Sequence, residues 1–326
     1  MEPLRWGLLG TARINRALIP PLRSSPRNRL VAVASRRPEA ARAYAQEWGI
    51  ERAHGSYEAL LADPEVQVVY VPLPNSLHAE WTIRAVRAGK HVLCEKPLAT
   101  SVAEVVAIAD AARETRRVVA EAFMYRHHPQ TAQVREIVAS GRLGAIRFVR
   151  GSFSFSLTRP GDVRLEPALG GGALWDVGCY PLSFTRTVLA EEPIEVSGVQ
   201  RTGPTGIDLT FAGQLRFGSG VLSQLDCSFE APFRTGMEIV GDAATLDVTQ
   251  PFKPGPDATL LLHRENATET ILVDAAELYQ GEVEDMADAI LEGKASRVSL
   301  SDSQANVAAI VALLQSAREG RPVSLR

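Results

Sequence analysis

Residues 88–99 read Ala88-Gly89-Lys90-His91-Val92-Leu93-Cys94-Glu95-Lys96-Pro97-Leu98-Ala99. The apolar run Val92, Leu93, Cys94 lies between Gly89 and Pro97, the pattern of a buried strand that stops on a charged pair. In an open parallel sheet, ligands gather beyond the carboxyl ends of the strands. Lys96 therefore stands where chemistry is expected, with an amine that burial can tune. The chain has four Lys, at 90, 96, 253 and 294, and uses Arg for the other 31 of its 35 basic residues. The alternative is a surface lysine that merely closes a strand.

Working outward, the first 120 residues alternate short apolar runs with helical stretches. Strands are expected at Arg5–Gly10, Leu30–Ser35, Val66–Val71, His91–Glu95 and Arg117–Glu121, with helices at 12–24, 38–48, 76–88 and 101–115. Strand then helix, repeated, predicts a doubly wound parallel sheet of the nucleotide-binding kind. Beyond residue 123 come a helix (129–140), a strand (Ile146–Phe155) and a Gly-preceded helix (173–190). Strand-like runs follow at Ile194–Arg201, Ile207–Phe217, Val221–Glu230, Thr235–Val240, Ala244–Val248, Thr259–His263 and Thr268–Val273. Two helices, 279–292 and 302–319, close the chain. The expected fold is α/β: a Rossmann-type domain over 1–122, then an α/β domain over 123–326 with a large, mostly antiparallel open sheet. The final helix is allowed to pack back on the first domain.

Composition narrows the function. A net charge of −3 gives no global basic field for nucleic acid. No apolar run is long enough to span a bilayer, and no signal-peptide hydrophobic region precedes the first strand. Cys94, Cys179 and Cys227 are odd in number and far apart, without metal spacing, which fits a reducing cytoplasm. No metal is expected.

The first strand runs into Gly7-Leu8-Leu9-Gly10-Thr11-Ala12-Arg13-Ile14-Asn15. The dinucleotide spacing G-x-G-x-x-G survives with Gly10, Ala12 and Asn15 at its three positions, so one of three glycines is kept. The start of the following helix still offers N–H groups to a pyrophosphate. The second strand ends on Ser35-Arg36-Arg37, with no acid to hold the ribose hydroxyls. A guanidinium there accommodates a 2′-phosphate, which favours NADP over NAD; Arg37 can instead begin the next helix before Pro38. In Val71-Pro72-Leu73-Pro74-Asn75-Ser76-Leu77-His78, the prolines interrupt strand and helix alike. Leu73, Pro74 and His78 are read as walling the nicotinamide end, and Asn75 or Ser76 as a helix cap.

Taken together, these motifs resemble the Gfo/Idh/MocA family of NAD(P)-dependent oxidoreductases along nearly the whole chain. The resemblance rests on residues 7–14, 72–78, 88–99, Glu121-Ala122-Phe123-Met124-Tyr125-Arg126-His127-His128-Pro129, and Gly170-Gly171-Gly172-Ala173-Leu174-Trp175-Asp176-Val177-Gly178-Cys179-Tyr180-Pro181. The last two are similar to the branch with dimeric dihydrodiol dehydrogenase, NADP-dependent xylose dehydrogenases, glucose–fructose oxidoreductase and anhydrofructose reductase. The resemblance implies Lys96 as a catalytic residue, often with a cis peptide before Pro97. It also implies an open sheet that often forms a dimer face. Much of the family has His four residues after the aspartate; here Tyr180 follows Asp176, so a histidine acid/base is not expected at that place.

The candidate cofactor residues are Gly10, Thr11, Ala12, Arg13, Ile14, Ser35, Arg36, Arg37, Leu73, Pro74, Asn75, His78, Glu95 and Lys96. The candidate catalytic residues are Lys96, Tyr180 and Asp176; Tyr125, Arg126, Trp175, Asp176 and Tyr180 are the candidate substrate contacts. Asp176 and Tyr180, four apart on an expected helix, share a face. A tyrosine can take the alcohol proton if a nearby cation favours its phenolate. Domain packing would have to bring Tyr180 to Lys96, which places the expected site in the cleft between domains. Arg126 has the alternative of a structural ion pair. His127 and His128 are read as polar loop, not metal ligands.

The expected activity is NADP-linked hydride transfer at a carbinol or carbonyl of a sugar, cyclic polyol or dihydrodiol. The alternatives are a glycoside-cleaving enzyme with transient redox and a non-enzymatic NADP-sensing regulator. A homo-oligomer, dimer or dimer of dimers, is expected through the second sheet, where Leu215, Phe217, Val221, Leu225 and Phe229 nearly alternate.

Overall fold

The computed structural model describes residues 2–325. The chain forms two compact units. One comprises the residues up to His127 with Glu277–Gln304, the other His128–Ala276 with the residues from Ala305 onward. The sequence division at 122 is contiguous; the folded units are not.

The first unit opens with β1 (Leu4–Leu9), α1 (Asn15–Ser24), β2 (Asn28–Ala34), α2 (Pro38–Trp48), β3 (Arg52–His54) and α3 (Tyr57–Ala62). It continues with β4 (Val68–Val71), α4 (His78–Arg87), β5 (His91–Glu95), α5 (Val102–Thr115) and β6 (Val119–Ala122). The six strands lie parallel in the order β3-β2-β1-β4-β5-β6. That order reverses direction at β1, the topological switch point where dinucleotides bind. The expected doubly wound sheet is thus present, and Trp6, Leu8, Tyr70 and Leu93 are buried in its core. Local chemistry sets the boundaries. Arg37 caps α2 in extended conformation ahead of Pro38, and Gly49 ends that helix left-handed. Ser101 accepts from the Glu104 N–H to start α5.

The second unit holds α6 (Pro129–Ala139), β7 (Ile146–Ser154), α7 (Cys179–Leu189), β8 (Pro193–Thr202), β9 (Asp208–Phe217), β10 (Leu222–Ser228), β11 (Arg234–Gly241), β12 (Thr245–Val248), β13 (Thr259–Arg264) and β14 (Ala267–Leu272). With β15 (Val323–Ser324) they form a nine-stranded sheet, β14-β13-β12-β11-β7-β10-β9-β8-β15. All its pairings are antiparallel except β10 with β7. One expectation is corrected here. Leu215, Phe217, Val221, Leu225 and Phe229 are buried within the chain itself, so their alternation records an internal core and not an open apolar face.

Two helices follow β14. α8 (Gln280–Leu291) belongs to the first unit, where Val283, Met286 and Ala287 join the core and Arg27 holds Glu284, Asp288 and Glu292. The first unit thus takes in α8 and the first residues of the last helix, whose Asp302 pairs with Arg126. α9 (Leu300–Glu319) closes the chain; Leu313 in its second half approaches Gly213 so closely that a Cβ there would lie 3.0 Å from it. No helix among the described residues is long and apolar enough to cross a membrane.

Candidate active site

In the first unit, β1 ends at Leu9 and the chain turns at Gly10, whose φ of +124° disfavours any side chain. A Cβ there would point toward Leu73 and the Tyr57 hydroxyl, at 3.5 and 3.7 Å. Asn15 is buried and locks the turn, its Nδ2 donating to the Gly10 carbonyl at 2.9 Å. Thr11, Ala12 and Ile14 are half-buried and Arg13 is exposed. No side chain caps α1 at Ile14, and the N–H groups of Asn15, Arg16 and Ala17 turn back on the carbonyls of Ala12, Arg13 and Ile14 at 3.2, 3.3 and 2.9 Å.

At the end of β2, Ser35 is buried and its Oγ accepts from the Arg37 N–H at 3.3 Å. Arg36 and Arg37 are exposed, and Arg36 lies close enough to Tyr57 to counter the burial that raises its phenol pKa. The left-handed turn at Gly10 and two exposed guanidinium groups at the end of β2 fit a phosphorylated dinucleotide.

The loop after β4 departs from its expected reading. Leu73, Pro74 and Asn75 are half-buried, but His78 is fully buried, with its ring nitrogens 2.7 Å from the carbonyls of Leu73 and Pro97. It ties the loops after β4 and β5 together. Desolvation lowers its pKa, outweighing the two carbonyl contacts. The N-cap position of α4 falls on Leu77, not on Asn75 or Ser76. A 3-10 turn over Asn75–Leu77 runs straight into that helix, because Pro74 has already set the turn.

β5 delivers Glu95 and Lys96 to the carboxyl edge of the sheet, where Val71 pairs with Cys94 and Glu95 with Ala122. The Lys96–Pro97 peptide is cis. Glu95 accepts from the Tyr70 hydroxyl and from the Lys96 backbone N–H, the latter at 3.3 Å. Burial, then the charge of Glu95, holds Tyr70 well above the usual phenol range, so it remains a donor. Glu282 of α8 is also buried, at 1% exposure, and its carboxyl oxygens have no hydrogen-bond partner. Desolvation, followed by the charges of Glu95, Glu277 and Asp285, raises its pKa well above the usual carboxylate range.

Tyr125 is fully buried, edge-on to Phe123 with ring centroids 5.9 Å apart. Arg126 forms an ion pair with Asp302 at 3.1 Å. Burial pushes His127 down to about 3, and His128 caps α6 by accepting from the Gln130 N–H. No group of three or more metal-ligating side chains occurs among the described residues.

The second unit carries Trp175, Asp176 and Tyr180. The expected continuous helix begins instead with a π turn over Leu174–Gly178 that leads into α7. Such turns recur at functional sites. Gly178 is required there, since a Cβ would lie 2.8 Å from the Cys227 sulfur. Asp176 accepts from Arg164 Nε at 2.7 Å, and Arg164 also pairs with Asp162 at 3.2 Å. The charge of Asp176 is the main reason that the Arg164 pKa is raised. Trp175 is buried, as is Tyr180, whose ring lies against Phe153 and Phe252 with centroids 5.5 and 5.4 Å away.

Sequence reasoning missed Arg164, Asp208 and Glu282. Asp208 accepts from the Leu174 N–H at 2.7 Å, and burial pushes its carboxyl up to about 6 against backbone N–H groups that pull it down. No motif marks these residues: Arg164 pairs with Asp162 and Asp176, Asp208 reaches back 34 residues to Leu174, and the Glu282 carboxyl oxygens have no partner.

Comparison with known proteins agrees with this architecture. Residues 4–123 match an oxidoreductase family with an NAD-binding Rossmann fold, and residues 131–247 match the GFO/IDH/MocA C-terminal domain. A D-xylose 1-dehydrogenase (NADP(+)) of Haloferax volcanii is 37% identical over 99% of this chain and 100% of its own. A trans-1,2-dihydrobenzene-1,2-diol dehydrogenase of Bos taurus is 34% identical over 76% of this chain and 75% of its own. The crystal structure of a 3-ketoreductase from Actinomadura kijaniata, in complex with NADP and TDP-benzene, matches with a TM-score of 0.92 and 33% identity, covering 96% of this chain and 98% of that one. That reductase has also been solved with a tyrosine replaced by phenylalanine and with a lysine replaced by alanine or glutamate. With both of its units matched and relatives similar over nearly all of its length, the chain belongs to the Gfo/Idh/MocA oxidoreductase family.

Proposed function

We propose that the chain is an NADP-dependent dehydrogenase or reductase acting on a carbinol or carbonyl of a sugar, cyclic polyol or dihydrodiol. The observation that carries this reading is Lys96, held beside Glu95 at the carboxyl edge of β5 in a Rossmann sheet. NADP, when bound, supplies or accepts the hydride. The Gly10–Ile14 turn takes the pyrophosphate, and Ser35, Arg36 and Arg37 take the 2′-phosphate.

In the oxidative direction, Tyr180 accepts the proton of the substrate hydroxyl. The Lys96 ammonium stabilises negative charge on the oxygen and favours the phenolate of Tyr180. Asp176, steadied by Arg164, orients neighbouring hydroxyls, with Trp175 beside it. Tyr125, fully buried, and Arg126, paired with Asp302, take supporting roles instead of direct substrate contacts. The reading includes a cytoplasmic homo-oligomer. Val199 and Leu222, 70% and 49% exposed on the outer face of the nine-stranded sheet, support that part.

Arg36→Ala tests the cofactor assignment. A charge-assisted contact to phosphate is worth about 1.5–3 kcal/mol, and exposure favours the lower end. Titration should show NADP binding weakened about tenfold and NAD binding unchanged. A wild-type protein that binds NAD more tightly than NADP would overturn the assignment.

A further inference from the structure

Asp208 opens β9, and its carboxylate reaches back to the start of the segment that carries Asp176 and Tyr180. Its Oδ2 accepts from the Leu174 N–H at 2.7 Å, and the Ala173 N–H and its own N–H add to the same group. Gly172 makes room for it. At φ +130°, a Cβ on Gly172 would lie 2.3 Å from Asp208 Oδ1. The Gly172 carbonyl in turn accepts from the Asp176 N–H at 3.1 Å. The carboxylate thus anchors the turn on which Asp176 is mounted, and α7, with Tyr180, follows directly.

We infer that Asp208 is a positioning residue for the proposed reaction: by capping the Leu174–Gly178 turn, it sets the placement of Asp176 and Tyr180. The inference rests on the proposed function, because it assigns Asp208 a role through those two residues. The capping form is the carboxylate, since an ionised oxygen accepts backbone N–H bonds more strongly than a carboxylic acid does. Around it lie the Cys227 thiol of β10, raised by burial and by the charge of Asp208, and further acting on that thiol are Cys179 and Asp226. Arg164, which faces the same glycine segment, directs its guanidinium to Asp162 and Asp176. With its carboxyl pushed up to about 6, Asp208 gains a proton just below neutrality and the cap weakens. Turnover should therefore fall on the acid side, with an inflection near that pH that NADP binding does not share.

The test compares the wild type with Asp208→Ala and Asp208→Asn in the full-length chain. Hydrogen exchange by mass spectrometry should show faster exchange in Asp208→Ala for peptides covering 173–180, with the first unit unchanged. Its kcat should fall about tenfold, while the NADP dissociation constant stays within about twofold. Asparagine keeps one accepting oxygen but no charge, so Asp208→Asn should retain more of kcat at neutral pH than Asp208→Ala does and lack the inflection. Unchanged exchange or unchanged kcat in Asp208→Ala overturns the inference. So does a loss of kcat that Asp208→Asn does not rescue. Hydrogen exchange reads the pinning without catalysis. If Tyr180→Phe retains full turnover while exchange in Asp208→Ala rises as expected, the role proposed for Tyr180 fails and the anchoring stands; if the wild type shows no NADP-linked turnover, the proposed function fails.

Discussion

Lys96→Met should lower turnover by about a hundred- to ten-thousandfold while NADP affinity changes by less than about threefold. The side chain follows Glu95, which Tyr70 and the Lys96 N–H hold in place, so the amine leaves the sheet edge from a fixed base. Methionine keeps most of the length of lysine and removes the cation. Charge on the substrate oxygen builds in the transition state, so the missing cation is felt there more than in the ground state. The loss should therefore appear in kcat and in kcat/KM about equally. Lys96→Arg restores a charge but with a planar, bulkier head, and should recover little. Turnover within about threefold of wild type in Lys96→Met would remove Lys96 from the chemistry.

Tyr180→Phe should have the second largest effect, of similar size, because the ring stays packed against Phe153 and Phe252 while the proton acceptor is lost. Stability should change little, and melting temperature checks this. The double variant Lys96→Met with Tyr180→Phe should lose much less than the product of the two separate losses, since residues that act as one unit are not additive. In alcohol oxidation, the acid limb of the pH–rate profile should belong to the coupled pair and not to either residue alone. Fully multiplicative losses would mean that the two residues act independently.

Much of the fold was legible in the sequence because its strands are short apolar runs punctuated by Gly and Pro, and its helices carry caps that the residues announce. Ser101 before Glu104, and Arg37 before Pro38, are such signals. The three-residue β3 and the six-residue α3 escaped notice because neither is long enough to show a period. The return of α8 to the first unit is a matter of tertiary packing. Val283, Met286 and Ala287 read as the apolar face of any helix, and nothing nearby says which core receives them.

The sequence marked the backbone at the Gly10 turn and at the end of β5, and said less where burial decides. His78 and Tyr125 carry groups suited to a ligand, yet both are buried in supporting positions. The apolar alternation of β9 and β10 was real, but a period of two does not reveal whether the chain itself or another copy covers that face. Asp208 is a lone aspartate after a glycine turn, and its partner at Leu174 lies 34 residues upstream.

The most direct test of the account is NADPH formation by the purified chain. It would be incubated with NADP and, one at a time, D-xylose, D-glucose and trans-1,2-dihydrobenzene-1,2-diol, and the NADPH absorbance followed. The account predicts that at least one of these substrates yields NADPH in large molar excess over the protein, which requires the nucleotide to exchange freely after each hydride transfer. NADPH that never exceeds one equivalent per chain with any of them would contradict it.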